Sequence, residues 1–147
     1  RGTPRLPGPG QTRVAAARAG GVRVESIPGA SAVMAALSTC GLEAKEFVFL
    51  GFPPTRSKDR KLWFEDVGTQ PRLVVFFEAP HRIRRTLTDL GAVVGSDRQI
   101  AVGRELTKAY EELVVWPISQ HLQYFNTPIG EFTVLVPPSP PGNLAVR

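Results

Sequence analysis

A chain of 147 residues, 42% hydrophobic and 21% charged, has the composition of a folded protein with room for one domain, or for a small domain plus part of another. Its formal charge of +5, from 18 basic and 13 acidic side chains, favours a polyanionic partner such as RNA, although a basic surface in contact only with water has the same composition. One cysteine excludes an internal disulfide and a cysteine-based metal cluster, and no apolar run reaches membrane-spanning or signal-peptide character, so the expected location is the cytoplasm.

Residues 1–10 hold three prolines and three glycines and begin without methionine, which reads as a loop cut from a longer protein. Gln11 to Ala19 is alanine-rich and predicts a helix that Gly20-Gly21 ends, followed by a short strand from Val22 to Ile27. Pro28-Gly29-Ala30-Ser31 then turns the chain into a helix over Ala32 to Cys40, stopped by Gly41, with Cys40 on its apolar face as a core residue. Phe47 to Leu50 predicts a strand, and Gly51-Phe52-Pro53-Pro54 breaks regular structure.

Thr55 to Lys61 carries four cations against one anion, followed by Leu62, Trp63 and Phe64 as apolar anchors. Phosphate contact and a solvated helix start both suit that pattern. Asp66 to Arg72 reads as a turn. Leu73 to Phe77 is short, β-branched and aromatic, which predicts a strand buried on both faces, and Pro80 forbids continued pairing. That strand delivers Glu78, Ala79, His81 and Arg82 to the carboxyl end of a sheet, the edge where α/β proteins bind ligands.

Ile83, Leu87, Leu90 and Val94 recur at helical spacing, with Arg84, Arg85 and Asp89 outside. Ile100 to Val102 predicts another buried strand, from which Arg104, Glu105, Thr107 and Lys108 emerge together; two such strand ends are expected side by side. Glu111 to Trp116 reads as a strand, Ile118 to Phe125 as a helix with His121 at its surface, and Gly130 to Val136 as the closing strand. The tail from Pro137, with four prolines in five positions, is expected to be disordered. Alternating strands and helices make the fold class α/β. Dinucleotide, P-loop, zincin and serine-hydrolase motifs are absent, and two histidines with one cysteine offer no structural zinc site.

The succession Gly2-Thr3-Pro4, Ile27-Pro28-Gly29-Ala30-Ser31-Ala32, Gly51-Phe52, Phe76-Phe77-Glu78-Ala79-Pro80-His81-Arg82, Arg104-Glu105-Leu106-Thr107-Lys108 with Glu111-Glu112, and Gly130-Glu131-Phe132 resembles, in order and spacing, the ribosomal RNA small-subunit methyltransferase I family. The resemblance runs from about residue 2 to residue 136. It implies a tetrapyrrole-methylase-like α/β fold, a mixed sheet flanked by helices. It also implies methyl transfer from S-adenosylmethionine to the ribose 2′-hydroxyl of a cytidine in 16S rRNA, without a metal, by a cytoplasmic homodimer.

Such proteins are about twice this length and have two domains. Residues 1–42 are therefore expected to close a first domain, residues 43–136 to form the second, and residues 137–147 to be a tail. Where the family has acidic residues in its Asp-Ala-Gly-Thr-Pro and Ser-Asp-Pro-Gly motifs, this chain has Arg1-Gly2-Thr3-Pro4 and Pro7-Gly8-Pro9-Gly10; Gly103 replaces a usual alanine.

By the same resemblance, Thr3, Pro4, Pro28, Gly29, Ala30, Ser31, Ala32, Glu78, Ala79, Gly103 and Arg104 would line the cofactor. Glu78, Glu105 and Lys108 are the catalytic candidates, as proton acceptors, ribose ligands or clamps, with buried ion pairing as the competing role for the glutamates. Arg56, Lys58, Arg60, Lys61 and Arg82 would hold RNA phosphates. A non-catalytic RNA-binding or dimerisation module is the alternative function, and a small-molecule methylase is disfavoured by the Glu-Ala-Pro-His-Arg and Arg-Glu-Leu-Thr-Lys motifs.

Overall fold

The computed structural model of the chain describes residues 9–23 and 31–139. It divides into two compact units, one ending at Ser31 and the other beginning at Ala32. In the first, helix α1 spans Pro9–Ala19 and closes through Gly20 and Gly21, whose N–H groups donate to Ala16 O and Arg18 O; Gly21 takes the left-handed φ of 77°. The strand expected over Val22 to Ile27 and the tail beyond Ser139 lie outside the described residues in large part.

The second unit runs α2 (Ala32–Thr39), β1 (Phe47–Phe49), α3 (Ser57–Thr69), β2 (Leu73–Glu78), α4 (Ile83–Val94), β3 (Gln99–Arg104), β4 (Glu112–Pro117), α5 (Ile118–Tyr124) and β5 (Phe132–Val136). The five strands form one mixed sheet in the order β1-β2-β5-β3-β4, with β1 and β2 parallel across the α3 crossover and all other pairs antiparallel. The last strand in sequence occupies the centre, and all five of its residues are buried.

Alternation along the strands splits the core into two layers. Val74, Phe76, Ile100, Val102, Phe132, Val134 and Val136 meet Phe64 and Val67 of α3, Ile83, Leu87 and Leu90 of α4, and Ile118 of α5. On the opposite face Leu73, Val75, Ala101 and Leu135 meet Ala36 and Cys40 from α2 and its end. At about 1.5 to 3 kcal/mol for each large side chain fully buried, the first layer dominates stability.

Three expectations are corrected. The residues read as a turn after Asp66 continue α3 to Thr69, because a Cβ at Gly68 would lie 3.0 Å from Val93 Cγ1; the glycine serves close packing of α3 on α4 and does not break the helix. His121 is fully buried, its Nε2 lying 3.0 Å from Ile100 O and 3.1 Å from Trp116 O. Two carbonyl acceptors require Nε2–H to be the donor, and burial pushes the imidazole below its ordinary 6.5. Finally, the carboxyl ends of β2 and β3 are separated by β5, Glu78 and Arg104 each pairing with Phe132, so the two ends flank a central strand roughly 10 Å apart.

Candidate functional site

The carboxyl edge of the sheet is organised by the parity of β2. Glu78 lies in phase with Val74 and Phe76, which places its side chain on the face covered by α3 and α4, only 2% exposed. One carboxylate oxygen accepts from Ala79 N–H at 2.8 Å and from Arg82 Nε at 3.3 Å; the other accepts from the Thr86 hydroxyl at 2.6 Å. Arg82 N–H and Ile83 N–H both donate to Ala79 O, so the Pro80 turn is closed and α4 starts against it. The Glu78–Arg82 pair therefore fixes the strand-to-helix turn, and His81 stands exposed beside it.

The network continues from Thr86 to Arg60. Arg60 Nη2 donates to Thr86 Oγ1 at 3.1 Å and to Asp89 at 2.8 Å, Nε donates to Asp89 at 3.2 Å, and Nη1 donates to Pro54 O at 3.0 Å. Its side chain is 3% exposed and its guanidinium lies 5.2 Å from the Phe64 ring centroid. This removes Arg60 from the expected phosphate-holding cations: its donors are turned inward, tying the Gly51–Pro54 loop and α3 to α4. Arg56, Lys58 and Lys61 remain exposed at the start of α3, with Arg56 in a loose surface pair with Asp59 at 3.9 Å.

At the β3 end the acidic and basic groups pair among themselves. Arg104 Nε donates to Glu112 at 2.8 Å, and the Tyr124 hydroxyl reaches the other oxygen of that carboxylate at 2.7 Å. Burial raises the Glu112 pKa, but the hydrogen bonds from Arg104 and Tyr124 outweigh it and hold the group below the ordinary carboxylate range. Lys108 Nζ lies 2.8 Å from Glu105, lowering the carboxyl pKa and raising that of the amine. The Glu105 backbone N–H donates to Glu131 O, while the Glu105 carboxylate accepts from Glu131 N–H at 3.0 Å.

Glu105 and Thr107 adopt left-handed φ values of 52° and 70°. Such backbone is uncommon outside glycine and exceptional for β-branched threonine; it concentrates at sites where geometry is imposed for function. Gly103 packs under this turn, where a Cβ would meet Leu106 Cδ1 at 2.6 Å. Ser31 and Ala32 are half-buried at the start of α2, and Ala32 packs on the apolar cluster that contains Leu106. Thr3, Pro4, Pro28, Gly29 and Ala30 lie outside the described residues.

Sequence reasoning missed Thr86 and Asp89, which hold Glu78 and Arg60 from the next helix, and the grouping of Phe49, Phe52 and Phe77. Thr86 is buried on α4 with Ile83, Leu87 and Leu90, but nothing in the sequence paired it with a residue before the turn.

A family model described as tetrapyrrole (corrin/porphyrin) methylases matches residues 1–121. Curated relatives named ribosomal RNA small subunit methyltransferase I are 40% identical over 137 residues in Synechocystis sp. and 41% identical over 139 residues in Xylella fastidiosa. A relative of the same name in Escherichia coli O157:H7 is 35% identical. Each alignment covers 92% of this chain and 49%, 51% and 49% of the respective relative, so the chain spans about half the length of the curated relatives it matches.

Among solved structures, the methyltransferase CobJ superposes with a TM-score of 0.66 at 16% identity over 92% of this chain and 62% of that one. Uroporphyrin-III C-methyltransferase from Thermus thermophilus, solved with S-adenosyl homocysteine, gives 0.58 at 18% identity over 92% and 62%. The relatives carry the name to which the motifs pointed, the solved structures share the mixed sheet with flanking helices, and the chain belongs to the tetrapyrrole (corrin/porphyrin) methylase family.

Proposed function

We propose that this chain is part of an S-adenosylmethionine-dependent methyltransferase acting on the ribose 2′-hydroxyl of a cytidine in the RNA of the small ribosomal subunit. The observation that carries the reading is the identity of 35–41% over most of this chain to relatives named for that RNA. The domain boundary near residue 42, the homodimer and the cytoplasmic location belong to the same proposal; among the described residues no helix is long and apolar enough to cross a membrane.

Ala32, Ala79 and Arg104 are the described residues of the second unit that would hold the cofactor. S-adenosylmethionine supplies a methyl group on a sulfonium, ready for in-line displacement by an oxygen. The protein's share is alignment and removal of a proton. Glu78 serves as a positioning residue in this scheme: with both oxygens engaged, it sets Ala79 and Arg82 at the edge of the sheet. Glu105 and Lys108 hold the left-handed turn against Glu131 in the same way.

Calorimetric titration of S-adenosylmethionine into the purified chain tests the reading. Saturable binding supports it. Absence of binding at millimolar cofactor, with RNA binding retained, would favour the non-catalytic RNA-binding module.

A further inference from the structure

Two pairs of neighbouring cations, one on α3 and one on α4, divide their roles in the same way. In the first, the Arg60 guanidinium is buried against Pro54 O, Thr86 and Asp89, while Lys61 is exposed. In the second, Arg84 Nη1 donates to Leu122 O and, at 2.7 Å, to Phe125 O, closing the carboxyl end of α5. Arg85 keeps 56% of its side chain exposed and comes no nearer than 4.0 Å to Asp89. One cation of each pair holds the fold together, and the other is left in solvent.

The two exposed cations face the same space. Lys61 and Arg85 line one cleft of about 570 Å³ between α3 and α4, with Ser57 and Glu65 on the α3 wall and Asp89 and Val93 on the α4 wall. The Asp89 charge is answered by Arg60, which donates to it at 2.8 and 3.2 Å. Glu65 stands one turn beyond Lys61 and, with Val93, also lines the neighbouring cavity of about 240 Å³ that Gly68, Thr69 and Val94 share at the carboxyl ends of both helices. Positive charge therefore gathers at the other end of the cleft. That end lies at the carboxyl edge of the sheet, because α3 follows β1, α4 follows β2, and those strands run parallel. Both helix dipoles present their positive ends there and add to the two cations.

An ammonium on one wall and a guanidinium on the other complement a compact anion with acceptor oxygens on two sides, which describes a phosphodiester. Resting on the RNA-directed reading above, we propose that Lys61 and Arg85 clamp one phosphate of the RNA strand across the α3–α4 cleft. The strand then crosses from one helix to the other instead of following α3 alone. Such a clamp responds to charge and not to base identity, so it sets where the strand meets the carboxyl edge and leaves the choice of target to other contacts.

Fluorescence anisotropy with the 147-residue chain and a labelled oligocytidylate tests this. Lys61→Gln and Arg85→Gln should each weaken binding about three- to tenfold, and Arg85→Lys, which keeps the charge, should recover most of the loss. Because one phosphate is shared, the double variant should lose less in log affinity than the sum of the single losses. Arg84→Gln removes the same charge one residue away; it should lower the melting temperature and leave affinity within about twofold. Arg72→Gln, at the exposed pair with Glu46, is a second charge control that spares α5.

Loss on neither Lys61→Gln nor Arg85→Gln overturns the clamp, as does an equal loss on the control variants, which would mean that net charge alone sets the affinity. Full additivity of the two losses overturns it as well, for the cations then meet separate phosphates. So does an Arg85→Gln protein that changes its sedimentation and keeps its RNA affinity, since the cleft would then hold an acidic segment of a second copy. If Arg56→Ala and Lys58→Ala weaken binding while Lys61→Gln and Arg85→Gln do not, the clamp falls and the RNA-directed reading stands. If the unaltered chain does not bind the probe, both fall.

Discussion

Single residues at the β3 edge show how backbone and side chain share one small volume. Gly130 has φ 85°, and a Cβ there would lie 2.2 Å from the Glu105 carboxylate oxygen. Gly130→Ala therefore meets two penalties, a left-handed backbone and a displaced carboxylate, and should lower stability by about 1 to 3 kcal/mol. Urea unfolding measures it, and the double variant with Glu105→Ala should lose less than the sum of the single losses because the clash is gone. Simple additivity would show that the glycine serves its φ alone.

His121 gives a second prediction at this scale. Its folded pKa lies below the unfolded 6.5, so the unfolded chain takes up the proton first. Its contribution is complete above about pH 6.5 and is lost as pH falls through the lower folded value; Glu105 and Glu112, held below 4.5, act only in more acidic solution. Melting temperatures of the native chain should thus fall between about pH 7.5 and 5, and His121→Asn should flatten that fall. Equal slopes would show that the imidazole is not held neutral in the core. The sequence concealed this residue because Gln120 and Gln123 lie close to it in the chain, while the acceptors that bury it come from β3 and the end of β4.

At the scale of elements, β2 and α4 were legible because their patterns are local: a continuous β-branched and aromatic run, then apolar residues at a 3.6 period. The strand order was not legible, since β5 reaches the centre of the sheet by pairing with two strands far earlier in the chain. The role of Arg60 was hidden for a related reason. In sequence it is one of four cations, but its position in the first turn of α3 directs it between the helices to Asp89.

That geometry predicts an asymmetry between the two partners. Asp89→Asn leaves a buried guanidinium without its counter-charge and should cost about 3 to 5 kcal/mol. Arg60→Met leaves Asp89, with 39% of its side chain exposed, free to hydrate, and should cost clearly less. Denaturant titrations of the two variants decide it; equal losses would mean that the aspartate is as deeply committed as the arginine.

At the scale of the molecule, the compact unit beginning at Ala32 layers three helices on one side of a mixed sheet and α2 on the other, and it concentrates polar chemistry along the carboxyl edge of β2 and β3. The motifs announced that edge. Ion pairing was among the roles expected of its glutamates, and Glu78–Arg82 and Glu105–Lys108 are local pairs; the Arg104–Glu112 pair was not legible, because it depends on the register of β3 against β4. Exposed positive charge lies at the start of α3, where Arg56 is only loosely paired with Asp59. If Arg56, Lys58 and Lys61 each neutralise one phosphate of a single strand, replacing all three by alanine should reduce the slope of log affinity against log salt by about 2. Binding isotherms over a salt series measure that slope. Adding Arg60→Met to the triple variant should lower stability and leave the reduced slope where it is, since the buried guanidinium releases no counterion on RNA binding. A slope unchanged by the triple substitution would place the RNA on another face of the molecule.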